Sequence, residues 1–441
     1  MKDCMLDVGL MAMLCSVGAT IWTQPSLASF LTLATGWVLC RSRRTTSGLI
    51  VAAGALGRKH FGSYHRFFGK AAWTTRRFWL GILRTVVESL CPAGELVLVG
   101  DDTVQRKSGK KISGAANWRN ACGSTRQEFR FLWGLNWVIL GLAVEFSGKT
   151  FCLPINLRLY RKRQGCPGGD PAYRTRSELM WEMVEEVLRA FPERSVVLLV
   201  DGQYAGRKLL GKLSGCNAQA GPTAITRLRR DAALYLPPPQ RRPGAKGRAP
   251  NKGKRLPTPE QIAERKRWPW TRTAGGREVK SLVVLWYSVL KGRPVRLVIT
   301  KQKNPREPYA YFLCTDPSWD ADRILSTYRA RWTIEITVRN ARQHGGLGDA
   351  QCRRPLAVER QATFTLAIMT LVMTWYMSEG HRTHAIELPA WYRQKNGATF
   401  LDMVTHARRT SLLQLISARS GPNPDLTENA DKLLSYLQAA A

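Results

Sequence analysis

The sequence predicts a mixed α/β fold, a mixed sheet flanked by helices, and three observations carry that reading. Two continuous Val/Leu runs, at 96–99 and 196–200, have the composition of buried central strands, and each meets aspartate where it ends. Between them strand-like segments come first, and helix alternating with strand follows, which is the order of a sheet with helices on its faces. Ahead of both, the chain up to residue 94 reads as helical.

In that helical part Phe67, Phe68, Trp73, Phe78, Leu80, Ile82, Leu83 and Val86 recur at three- and four-residue spacing among Arg and Lys. The pattern suits a DNA-contacting domain, and equally a helical cap whose basic face is solvated. Residues 8–22 are apolar enough to imitate a signal segment. They are too short to span a bilayer and follow Asp3 and Asp7, so a core helix is expected.

From residue 95 a first strand runs into Asp101, and strands over 131–145 and 150–160 follow. A helix over 174–191, with Leu179, Met183, Val184, Val187, Leu188 and Phe191 on one stripe, feeds the strand ending at Asp201. Asp201 and Glu335 are separated by 133 residues, too many for a structureless loop in a compact domain, so a folded insertion is expected. Inside it, residues 237–258 carry Arg241, Arg242, Lys246, Arg248, Lys252, Lys254 and Arg255 with Pro and Gly throughout and no acid. This reads as a disordered loop able to lie on a phosphate backbone, or as a merely solvated one. Strands are expected at 281–290, 295–300 and 309–314, the last re-entering the main sheet. A second apolar run, 362–377, is short of a membrane span and is expected as a helix buried behind the sheet. Arg382, Arg408 and Arg409 mark a basic C-terminal stretch, and 429–441 reads as a short helix or frayed tail.

A chain of 441 residues is long enough for two or three domains. Its 67 Lys and Arg against 32 Asp and Glu leave a net charge of +35, which points to a polyanionic partner, most plausibly DNA. Charge alone also suits an RNA-binding protein. Ten scattered cysteines without a Cys-x-x-Cys pair, and six histidines that do not group with them, exclude a zinc pattern and suggest reduced thiols in a cytosolic protein. Two Gly-Lys strings fail as nucleotide-binding loops: Ala143 stands where the first needs glycine, and Leu213 follows Gly211-Lys212 where a hydroxyl is required. No nucleotide cofactor is expected, and neither a Gly-x-Ser-x-Gly elbow nor a His-Glu-x-x-His run occurs.

The most informative run is 327–335, in which Tyr328, Arg331 and Glu335 fall at offsets of three and four and so share a face if the run is one helix. A cation one turn before a carboxylate holds it ionised and can touch a phosphate. Asp101 and Asp201 at strand ends, with Glu335 on a helix, make an oxygen-rich triad suited to Mg²⁺ or Mn²⁺.

These residues resemble the DDE transposases of bacterial insertion sequences, in the cut-and-paste branch, whose signature is Tyr, two residues, Arg, three residues, Glu, six residues, Lys. Here Tyr328, Arg331 and Glu335 match, and Arg342 stands at the Lys position with its charge kept. Asp101 with Thr103 matches the first family aspartate, with Asp102 as the alternative, and Asp201 in Val-Asp-Gly-Gln-Tyr resembles the second. Residues 340–348 after the glutamate also resemble the family.

The resemblance implies a ribonuclease H-like catalytic core with a β-rich insertion and a helical N-terminal domain. The segments are 1–94 (helical, DNA-binding), 95–228 (core, first part), 229–308 (insertion), 309–380 (core, second part) and 381–441 (basic, helical). It implies Asp101, Asp201 and Glu335 as ligands of two Mg²⁺ or Mn²⁺ ions, with Arg331 and Arg342 on phosphates and Tyr328 on the DNA backbone. It further implies a homodimer formed on DNA, terminal inverted repeats and target DNA as partners, no membrane, and a cytoplasmic, nucleoid-associated setting in a bacterium. Readings that remain beside it are a metal-dependent nuclease that does not join strands and a catalytically silent DNA-binding protein.

Overall fold

The computed structural model describes residues 6–120, 123–125, 127–163, 173–213, 215, 221–240, 248–383 and 397–420. Its sheet is assembled around strand β1 (Leu96–Arg106), which pairs antiparallel with β3 (Phe131–Phe146) and parallel with β5 (Val196–Val200). A short β2 (Ala116–Arg119) and the long β4 (Lys149–Tyr160) both pair with β3. On the other side, β6 (Thr223–Arg227) runs parallel to β5. Three antiparallel strands followed by two parallel to the first is the ribonuclease H-like arrangement. The parallel strand β5 is buried at every residue, as its unbroken Val/Leu run requires.

The sheet does not end at β6. Strand β10 (Tyr309–Cys314) re-enters antiparallel to β6, as expected, and β9 (Pro294–Lys301), β8 (Glu278–Leu285) and β7 (Thr271–Arg272) continue outward from it. The strand expected over 281–290 therefore begins earlier and stops at Leu285, because residues Tyr287–Leu290 turn into one helical turn before Lys291 adopts positive φ.

The expected disordered loop at 237–258 also differs. Its far half folds back: Gly253 and Leu256 N–H groups donate to Leu236 and Leu234 carbonyls, and Tyr235 bridges both Arg255 and Leu285. Lys252 lies over the Tyr235 ring at 4.1 Å. Backbone pairing, not charge, decides this segment; Arg248, Lys252, Lys254 and Arg255 are exposed on it, while Arg241, Arg242 and Lys246 lie outside the described residues.

Helices cover both faces. Helix α6 (Arg176–Ala190) opens with a capping box from Thr175 and Glu178 and packs on β3 and β4. It buries Met180, Trp181, Met183, Val184 and Val187, so the buried stripe is rotated from the expected one and leaves Leu179 and Leu188 half-buried. Gly100 lets it approach: a Cβ there would lie 2.6 Å from Met180 Cε. The other face carries α11 (Thr333–Gln343) and α12 (Pro355–Ser378), whose Thr337 and Thr370 hydroxyls donate to the carbonyls of Cys152 and Pro154 on β4.

At 24 residues α12 is longer than the 362–377 run suggested, because Pro355 starts it a full turn and more earlier. It is long and apolar enough to cross a membrane by length and composition, yet 83% of its most apolar window is buried within the fold. What buries it is the N-terminal helices α1 (Val8–Ala19), α2 (Gln24–Leu39), α3 (Thr46–Ala52), α4 (Phe61–Gly69) and α5 (Thr75–Leu90). The expected core helix at 8–22 is α1. An aromatic cluster of Trp22, Phe30, Phe67, Trp73 and Phe78 closes on Phe364 of α12. Beside it the buried Arg360 guanidinium, 5% exposed, donates to the Phe68 and Trp73 carbonyls and stacks on Trp73. Helix α13 (Phe400–Ser420) completes this layer, tied to the start of α1 where Asp7 accepts from Gln414. Residues 429–441 lie outside the described residues.

Candidate active site

The register of the parallel pair puts two aspartates side by side. Gly100 pairs with Val200, so Asp101 and Asp201 follow at the same level, where β5 ends. Strand β1 does not stop at Asp101 as its apolar run suggested. It continues to Arg106 because antiparallel β3 still pairs with it there.

Alternation along β1 then separates neighbours: Asp101, Thr103, Gln105 and Lys107 face the α11 side, and Asp102 faces the α6 side. Asp102 is 7% exposed at its side chain, 2.8 Å from Arg176, and accepts from Gln203 at 2.5 Å and from the Tyr204 hydroxyl at 3.3 Å. Asp101 Oδ1 accepts from the Asp102 N–H, and its Oδ2 lies 3.3 Å from Arg331.

Glu335 reaches this point from the opposite layer. The run 321–343 is not one helix: α10 (Ala321–Tyr328) gives way to a 3-10 turn, Arg329–Trp332, before α11 begins. The turn tightens because the Thr333 hydroxyl and N–H both bond the Ala330 carbonyl. Arg331 and Glu335 still meet, in an ion pair through Nη2 and Oε1. Tyr328 also stands near Arg331, Asp101 and Asp201. Its hydroxyl donates to the Val200 carbonyl at 3.3 Å, next to Asp201, and its ring stands edge-on to Phe312. Arg342, two turns beyond Glu335, donates to the Thr103 hydroxyl at 2.5 Å and to the Val104 carbonyl at 2.8 Å.

The electrostatics follow from burial. Burial pushes Asp101 up to about 7, against the pull of the Asp102 N–H and Arg331 and with help from Asp201. Burial likewise raises Asp201, although the Gln203 N–H and Arg331 oppose it. Tyr328 is pushed up to about 12 by burial and so keeps its proton. Two like charges in a half-buried cleft, with one guanidinium to balance them, form a site that attracts further positive charge. Its donors are carboxylate oxygens, the chemistry that hard divalent ions prefer. Among the described residues no three His, Cys, Asp or Glu side chains already form a closed ligand set, and Arg331 lies between Asp101 and Glu335.

Sequence reasoning missed Arg176, which carries no motif, and Tyr204, which lay within the quoted Val-Asp-Gly-Gln-Tyr. It also passed over Trp332, 60% exposed, with the Arg331 guanidinium 6.0 Å from its ring.

The architecture is thus a ribonuclease H-like sheet with acidic residues gathered where its parallel strands end. The chain belongs to the DDE superfamily endonucleases, whose family model matches residues 24–292, more than half of its length. The matched span includes Asp101 and Asp201 and stops short of Glu335. DDE superfamily enzymes use divalent metal ions. Among solved structures the chain is similar to a piggyBac transposase, in a cryo-EM synaptic complex with hairpin DNA, at 11% identity and a TM-score of 0.44, over 94% of this chain and 76% of that one. No curated protein matches.

Proposed function

We propose that this chain is a DNA transposase that binds the terminal inverted repeats of its element, cleaves the DNA ends and joins them to target DNA. What supports it most is that Arg331 pairs with both Asp101 and Glu335, and that Asp201 stands level with Asp101 on the neighbouring parallel strand, in a DDE superfamily endonuclease. Asp101, Asp201 and Glu335 would hold two Mg²⁺ or Mn²⁺ ions, which when bound activate the attacking oxygen and stabilise the leaving one.

The chain's own side chains do the rest. Arg331, already bonded to two of the carboxylates, would take the scissile phosphate as a bidentate partner and hold it in line. Arg342 and Thr103 together would grip the next stretch of backbone, and Tyr328 would fix the floor of the cleft through Val200. Asp102, turned to the other face and fully partnered, would serve the fold. The net charge of +35 suits a long duplex partner, and two ends processed together imply a homodimer on DNA acting in the cytoplasm.

The family name, an endonuclease, also covers cutting without joining, so the test must see both products. A labelled duplex carrying the repeats that flank the gene is incubated with Mg²⁺ and wild-type protein or Glu335→Gln. Nicks at the repeat boundary plus joined products, both absent with Glu335→Gln, establish the reading. Nicks alone reduce it to a nuclease. Tight binding with neither product leaves a DNA-binding protein.

A further inference from the structure

Asp201 is the first residue beyond β5, where strand pairing no longer holds the chain. A carboxylate at such a point keeps its rotamer freedom unless contacts outside the ladder remove it. Two contacts do so. The hydroxyl of Thr226, fully buried on β6, donates to the Asp201 carbonyl at 2.9 Å and fixes the backbone. The Gln203 N–H donates to Asp201 Oδ1 at 2.9 Å and fixes the carboxylate. Gln203 lies in a 3-10 turn, Gly202–Tyr204, and one turn of helix is too short to hold itself. The direction of the Asp201 carboxylate thus depends on what anchors residue 203.

The anchor is the side chain of Gln203. Its Nε2 donates to Asp102 Oδ1 on β1 at 2.5 Å, although Gln203 is itself exposed. Asp102 does not need this bond, since Oδ1 also accepts from the Tyr204 hydroxyl at 3.3 Å and Oδ2 accepts from Arg176 at 2.8 Å. An exposed amide would lose little by turning to water. The bond therefore matters more to the turn than to Asp102. One glutamine ties two aspartates on neighbouring strands: its main chain holds Asp201, and its side chain is held by Asp102. Because Arg176 fixes Asp102, Asp201 is referenced to α6, on the opposite face of the sheet from Arg331 and Glu335.

We infer that Gln203 is a positioning residue: through Asp102 it sets the direction in which Asp201 presents its carboxylate to a divalent ion. The inference rests on the reading of Asp201 as a metal ligand and adds to it a contact outside the ligand set. Asp201 lies close enough to Asp101 to raise its affinity for a proton, so an Asp201 carboxylate turned aside leaves the shared group of oxygens incomplete. Contacts behind a ligand are worth about 10–100-fold in metal affinity.

The test follows Mn²⁺ binding to the full chain by the paramagnetic signal of the free ion, beside cleavage of the labelled duplex at graded Mg²⁺. Gln203→Met keeps the bulk and the main-chain N–H and removes the side-chain donor. It should weaken Mn²⁺ binding by about 10-fold and raise the Mg²⁺ concentration for half-maximal cleavage to match. The rate at saturating Mg²⁺ should fall much less, and the melting temperature should stay at the wild-type value. Added to Asp102→Ala, the same change should weaken Mn²⁺ binding no further, since the anchor is already gone; a further loss overturns the route through Asp102. Wild-type Mn²⁺ affinity in Gln203→Met, with or without a lower melting temperature, overturns the positioning role and leaves the metal site standing. Failure of the wild type to bind Mn²⁺ overturns the metal-ligand reading, and this inference with it. Mn²⁺ binding by the wild type without cleavage tells against the transposase alone, and the affinity of the variant still decides the positioning role.

Discussion

Asp101 and Asp102 are neighbours in the chain and strangers in the fold: one meets Arg331 below the sheet, the other Arg176 above it. Substituting each by asparagine should therefore have opposite consequences. Asp101→Asn should not lower the urea midpoint, since it removes a confined charge, and should lower cleavage by more than about 100-fold, since losing a group that merely orients a metal ligand already costs about 10–100-fold. Asp102→Asn should lower stability by about 1–2 kcal/mol, through a weakened contact with the part-exposed Arg176, and leave residual activity. Equal loss of cleavage in two equally stable variants would mean that the faces are assigned wrongly.

The raised Asp101 carboxyl sets a pH dependence. Its ordinary value is 3.8 and burial lifts it to about 7, so the folded chain binds this proton more tightly than the unfolded one. Its effect on stability thus falls as pH rises from about 4 to about 7, because the charged form is confined without enough compensation. A divalent cation at the site removes that penalty only where the proton has left. The melting shift produced by Mg²⁺ should be larger at about pH 8 than at about pH 6, and Asp101→Asn should flatten the difference. Shifts equal at both pH values in the wild type would refute it.

Gly100 sits where α6 touches β1. In Gly100→Ala the new methyl would lie 2.6 Å from Met180 Cε and 3.0 Å from Val200 Cγ1, so the helix must move or Met180 must find another rotamer. A loss of about 1–3 kcal/mol is expected. Combining it with Met180→Ala should cost less than the sum of the two single changes, as a chemical-denaturation cycle would reveal. Strict additivity would argue that the contact is not the cause.

Arg360 is a buried cation held by two carbonyls and an indole face, with burial lowering its affinity for the proton. Arg360→Met keeps the stem and removes the donors, leaving the Phe68 and Trp73 carbonyls to find others. The expected cost is about 1–3 kcal/mol, seen as a lower denaturation midpoint. A neutral result would assign the site's stability to the aromatic cluster alone.

Much of this was legible in the chain because central strands and motif spacing are local signals. Continuous Val/Leu runs located β1 and β5, and the offsets among Tyr328, Arg331 and Glu335 located the run that meets them. Register was not legible: that Gly100 pairs with Val200, so that Asp101 and not Asp102 sits level with Asp201, depends on long-range pairing. The break between α10 and α11 was hidden because Arg-Ala-Arg-Trp has ordinary helix propensity, and a threonine hydroxyl decided it. The folding back of residues 253–256 was masked by Pro, Gly and charge, which describe composition and not backbone pairing. Arg176 carried no signal because its partner lies 74 positions away.

The closure of Phe30 and Phe68 on Phe364 has a consequence for synthesis. The first five helices leave the ribosome with an aromatic face whose cover is encoded nearly three hundred residues later. At about 5–20 residues per second that interval lasts tens of seconds, during which the face must be shielded by a chaperone or by provisional contacts. A message truncated before α12 would therefore yield a product that aggregates, and the last third of the gene decides whether its first fifth stays in solution.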